Sequence, residues 1–99
     1  MRESRTDREL TVFLKGELDH HAATVTTAAL ERSVERALPL RLELDFSGVT
    51  FMDSSGIALV LRTARRMQEL GGSMRITKVP SQAQKVFHAA HLEKIVTIE

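Results

Sequence analysis

Ninety-nine residues suit one compact domain, and 42% hydrophobic residues supply the apolar surface for one core. The absence of cysteine excludes disulfides, thiolate zinc sites, iron–sulfur clusters and cysteine nucleophiles together. Fourteen Lys and Arg against thirteen Asp and Glu leave a net charge of +1, too balanced for a nucleic-acid-binding field, and four Phe without Tyr or Trp give single-stranded bases little to stack on.

The polar stretch Met1–Asp7 is either a frayed tail or an edge strand, paired antiparallel with Leu10–Lys15 through a turn near Asp7-Arg8. Leu10, Val12 and Leu14 alternate with Thr11, Phe13 and Lys15, a period of two that predicts a strand stopping at Gly16. Ala23, Thr27, Leu30, Val34, Ala37 and Leu38 then recur every three or four residues, which predicts a helix ended by Pro39, with Glu31, Arg32, Glu35 and Arg36 on its wet side. Leu42, Leu44 and Phe46 share one face of a second core strand, broken at Ser47-Gly48.

From Asp53-Ser54-Ser55 a second helix is predicted, with Ile57, Val60, Leu61, Ala64 and Met67 inward and Arg62, Arg65, Arg66 and Glu69 outward, stopped by Gly71-Gly72. Met74 and Ile76 mark a third strand, and Ala83, Val86, Phe87 and Ala90 a third helix after Pro80. Ile95, Val96 and Ile98 mark the last strand. Such alternation implies crossover connections and a largely parallel sheet covered by helices, so residues 1–99 read as one α/β unit. The longest uninterrupted apolar run is Ile57 to Leu61 and the first residues hold no signal core, so a cytoplasmic protein is expected.

Chemistry in such folds sits where strand ends lead into helix starts. Val49 to Gly56 is one such junction. Asp53 or Ser54 caps the helix there, and a serine beside free helix amides also tolerates a phosphate. Gly16-Glu17-Leu18-Asp19 is the second junction; if the two loops are neighbours, Asp19, Asp53 and Ser54 form one acidic, hydroxyl-bearing patch for a partner. A serine nucleophile with His20 or His21 as base and Asp19 or Asp53 as orienter lacks the G-x-S-x-G elbow, so no catalytic residues are assigned. No metal is assigned either, because His20 and His21 point apart with no third ligand in reach, and His88 and His91 read as surface residues on one side of the last helix.

Gly16-Glu17-Leu18-Asp19-His20-His21, then Phe51-Met52-Asp53-Ser54-Ser55-Gly56, then Gly71-Gly72 together resemble the STAS-domain anti-sigma factor antagonists, most nearly the sporulation type. The similarity runs from about Leu10 to Ile98. It implies a single STAS domain with a mixed, largely parallel sheet of four to five strands packed with helices, and favours the edge-strand reading of Met1–Asp7. It implies a non-enzymatic switch without a cofactor of its own. Unphosphorylated, such a protein binds an anti-sigma factor serine kinase, which itself carries ATP and magnesium, and so releases a sigma factor; a phosphoserine phosphatase resets it.

Ser54 matches the phosphoacceptor, and Asp19, His20, Asp53, Ser54, Ser55, Gly56 and Ile57 match the partner-facing surface. Direct nucleic-acid or membrane contact is not implied. A constitutive STAS adaptor, for example a subunit of a membrane lipid transporter in which Ser54 is only a cap, is the alternative on the same scaffold. The chain departs from the family at Ala90-His91-Leu92, where relatives often have Ser-Gly, so a left-handed helix terminus must be built on His91.

Overall fold

The computed structural model describes residues 1–99. In chain order it comprises β1 (Arg2–Thr6), β2 (Glu9–Leu18), α1 (His20–Ala37), β3 (Arg41–Met52), α2 (Ser54–Glu69), β4 (Ser73–Thr77), α3 (Ser81–Ala89), a 3-10 turn at Leu92–Lys94 and β5 (Thr97–Ile98). The sheet order is β1-β2-β3-β4-β5, with β1 antiparallel to β2 and every other neighbouring pair parallel. The stretch Met1–Asp7 therefore forms an edge strand over Arg2–Thr6, and the chain turns at Asp7-Arg8, where Arg8 has a φ of 63°. The Arg8 carbonyl accepts from the Leu40 and Arg41 N–H groups, which ties the turn to the start of β3.

Each parallel pair is joined through a helix, and all three helices share one core. Leu10, Val12 and Leu14 of β2, Leu42, Leu44 and Phe46 of β3 and Ile76 of β4 meet Leu30 and Val34 of α1, Leu59, Val60 and Met67 of α2, and Ala83 and Phe87 of α3. Phe46 and Phe87 pack edge to face with centroids 5.4 Å apart, the arrangement favoured by the ring quadrupole. The alternate strand positions form the opposite sheet face, where the Glu43 carboxylate accepts from Arg75 and Thr77 and the Arg2 guanidinium lies 4.4 Å over the Phe13 ring. No helix is long and apolar enough to cross a membrane.

The expected strand ends at Gly16 and Ser47-Gly48 are not ends. β2 and β3 both continue to Leu18 and Met52, because their pairing absorbs two register shifts. From Phe13–Asp45 to Lys15–Gly48, and again from Gly16–Val49 to Glu17–Phe51, β3 contributes one extra residue. Each bulge reverses which face the next side chain meets, so Phe46, Val49 and Met52 are all buried although each lies an odd number of residues, three, from the one before. Asp45 supports the first bulge: its Oδ1 accepts from the Ser47 N–H at 2.8 Å and the Ser47 hydroxyl at 2.6 Å. Gly16 has a φ of 80° at the second, a conformation open to glycine without steric cost.

Two other expectations are corrected. Leu61 is exposed on α2, whose buried side is Gly56, Leu59, Val60, Thr63 and Met67; Thr63 enters the core by donating its hydroxyl to the Leu59 carbonyl. Ile95 is exposed and only Thr97–Ile98 pair as β5, because the Leu92–Lys94 turn consumes the chain and buries Leu92 and Val96 instead. His91 takes the left-handed conformation expected of it, with a φ of 54°. It thus lies beyond α3 rather than on it, and its ring centroid is 6.5 Å from that of His88.

Candidate functional site

Leu18 and Met52 are register partners at the carboxyl ends of β2 and β3, so the residues that come after them lie side by side. Both successors are aspartates in extended conformation, and both cap a helix. Asp19 Oδ1 accepts from the Ala22 N–H at 2.9 Å, and Asp53 Oδ1 accepts from the Ser55 N–H at 2.8 Å. The two junction loops are therefore neighbours, and Asp53 rather than Ser54 is the cap of α2.

Ser54 is left as the first helical residue, exposed beside amides that carry the positive end of the α2 dipole. Ser55 is half-buried and Ile57 packs against the core. Gly56 is buried hard against Met52: a Cβ there would lie 2.3 Å from Met52 Cγ, so only glycine lets α2 start this close to β3. Phe51, 43% exposed, is the large apolar side chain at this strand end.

His20 and Ser55 line one groove of about 390 Å³ between α1 and α2, with Thr24, Glu31, Ala58 and Arg62. Arg62 pairs with Glu31, and Arg66 pairs with Glu35 across the helices and with Glu69 on its own helix. The arginine cluster is thus partly an interhelical ladder rather than a free solvated face, and the Arg66 guanidinium holds the Glu35 carboxyl below its ordinary range. No three or more His, Asp or Glu side chains gather where they can hold a metal ion.

Gln82 was not legible as part of this site. The Met52 N–H donates to Gln82 Oε1 and Gln82 Nε2 donates to the Met52 carbonyl, each at 2.8 Å. β4 pairs with β3 only as far as Asp45–Thr77, so at Met52 the side chain of α3 occupies the place of a neighbouring strand. A polar residue in the first turn of a helix after a proline carries no signal for such a role.

A family model described as "Mlab, STAS domain" matches residues 1–97, and the chain belongs to the STAS family. Within it the chain is similar to the anti-sigma F factor antagonist of Paenibacillus polymyxa, 29% identical over 89 residues that make up 90% of this chain and 76% of that protein. Its fold matches the anti-sigma factor antagonist SpoIIAA in its unphosphorylated form with a TM-score of 0.82 at 26% identity, over 99% of this chain and 86% of that one. The Bacillus cell fate determinant SpoIIAA in its phosphorylated form matches with a TM-score of 0.73 at 26% identity, over 99% and 89% of the two chains.

Proposed function

We propose that this protein is an anti-sigma factor antagonist whose binding is switched off by phosphorylation of Ser54. The observation that carries the reading is the division of labour at the start of α2: Asp53 makes the cap, so Ser54 is exposed and not needed for it. Similarity to SpoIIAA, a protein with a phosphorylated form, supports it. Unphosphorylated, the surface of Asp19, His20, Asp53, Ser54, Ser55 and Ile57, with Gly56 keeping α2 tight beneath it, docks on an anti-sigma factor that is itself a serine kinase, and the sigma factor is released. The partner binds the ATP and magnesium; this chain carries no catalytic residue and no cofactor, and acts in the cytoplasm without touching nucleic acid or membrane.

A phosphate on Ser54 adds about −1.5 to −2 charge at a helix N-terminus, where the domain's own amides favour it. The partner meets that charge beside the Asp53 carboxylate, in a site that has just held ATP phosphates. A loss of about 2.7 kcal/mol weakens affinity about 100-fold. A phosphoserine phosphatase restores binding.

The experiment is intact mass after incubation with the anti-sigma factor kinase and Mg-ATP, for wild type and Ser54→Ala. Gain of one phosphoryl group by wild type alone is expected. No gain with a kinase active on a control substrate overturns the reading and leaves a constitutive STAS adaptor.

A further inference from the structure

We infer that Gln82 is a positioning residue of this switch: its side-chain amide stands in for a missing strand and holds the backbone that presents Ser54. The inference takes Ser54 as the phosphoacceptor from the proposed function. Met52 is held from both sides. Its side chain is fully buried beneath Gly56, its strand is paired with β2 along one edge, and on the other edge its own N–H and C=O are both taken by Gln82. The peptide leaving Met52 then sets the extended Asp53 and the first turn of α2.

Only a primary amide offers one acceptor and one donor at the spacing of a backbone pair. Gln82 is itself exposed, while Ala83 and Phe87 hold α3 to the core. Removing the amide therefore frees Met52 without undocking α3. Since the clamp joins α3 to the residue two before Ser54, it sets how often the Ser54 hydroxyl is aligned for phosphoryl transfer.

The test compares wild type, Gln82→Ala and Gln82→Glu by amide hydrogen exchange and by steady-state phosphorylation with the anti-sigma factor kinase and Mg-ATP. Two hydrogen bonds of ordinary net strength are worth about a thirtyfold change in local opening, so Gln82→Ala should exchange Met52 about thirtyfold faster, with Leu30 and Val34 of α1 unchanged. Gln82→Glu keeps the acceptor for the Met52 N–H but loses the donor and turns a carboxylate oxygen toward the Met52 carbonyl, so its Met52 exchange should fall between wild type and Gln82→Ala. In the kinase reaction Gln82→Ala should lower kcat several-fold with KM little changed, and Gln82→Glu should fall between it and wild type.

Unchanged Met52 exchange in Gln82→Ala overturns the inference, as does equal acceleration throughout α1, which would mean global destabilisation. Faster Met52 exchange with an unchanged kcat overturns it too, leaving Gln82 a local staple. If wild type is not phosphorylated at all, the switch reading fails, while the exchange comparison still decides whether Gln82 holds the Ser54 loop.

Discussion

Leu18 and Met52 face each other as the last register pair of two parallel strands, and each is followed by an aspartate that caps the helix leaving its strand. The same short device, repeated on adjacent strands, puts two helix N-termini side by side. Both carboxylates are engaged by their own helix amides, so Ser54 and the backbone around it remain as the part of the surface free to change state.

Removing either cap leaves an orphan amide at a helix start, which typically costs about 1 kcal/mol. Asp53→Ala and Asp19→Ala should each lower the melting temperature by about 4–8 °C in a domain of this size, and Asp53→Ser by less, as read by thermal unfolding followed by circular dichroism.

Gly56→Ala places a methyl into the Met52 side chain, 2.3 Å from its Cγ. Overpacking of this kind costs about 1–3 kcal/mol. In a Met52→Ala background the same substitution should cost clearly less, because the clash partner is gone; denaturant unfolding of the four proteins in the cycle measures that coupling, and additive effects would refute the contact.

Ser54 is exposed and outside the capping bond, so Ser54→Ala and Ser54→Asp should both stay within about 0.5 kcal/mol of wild-type stability. Ser54→Ala should bind the anti-sigma factor without being switched off, and Ser54→Asp should bind it more weakly, though less so than the phosphoprotein, since one carboxylate copies a dianion poorly. Calorimetric titration separates the two; wild-type affinity in Ser54→Asp would show that charge here is not the switch.

Acid should weaken the fold through the outer sheet face. Hydrogen bonds from Arg75 and then Thr77 hold the Glu43 carboxyl below its ordinary range. Burial pushes Asp45 upward, but the Ser47 hydroxyl and N–H together with the Lys78 ammonium outweigh it, so its net shift is also down. Groups lowered in this way favour the folded state when ionised: their contribution is complete above the unfolded carboxylate value and is lost as pH falls below about 4 through the folded one. Denaturant unfolding between neutral and acid pH should therefore show a shallower acid loss for Asp45→Asn than for wild type.

The strand–helix alternation, the helix stops at Pro39 and Gly71, and the aspartate–serine junction were all legible in the sequence, because periods of 2 and 3.6 and capping preferences are local properties of a chain. The bulges were not. Ser47-Gly48 reads as a breaker in isolation, and only pairing with β2 turns it into an extra residue that keeps Val49 and Met52 facing the core. Leu61 and Leu59 are equally apolar, and which of them is buried depended on the rotation of α2 against its neighbours. Asp45 follows the outward alternation of β3, yet is 2% exposed because the bulge folds Ser47 back onto it and Lys78 reaches it from the end of β4. The clamp of Gln82 on Met52 joins residues 30 apart in the chain. Local patterning marks which segments are strands and helices and where two helices begin; register, burial and the Gln82 clamp rest instead on hydrogen bonds and contacts whose partners are chosen when distant segments meet.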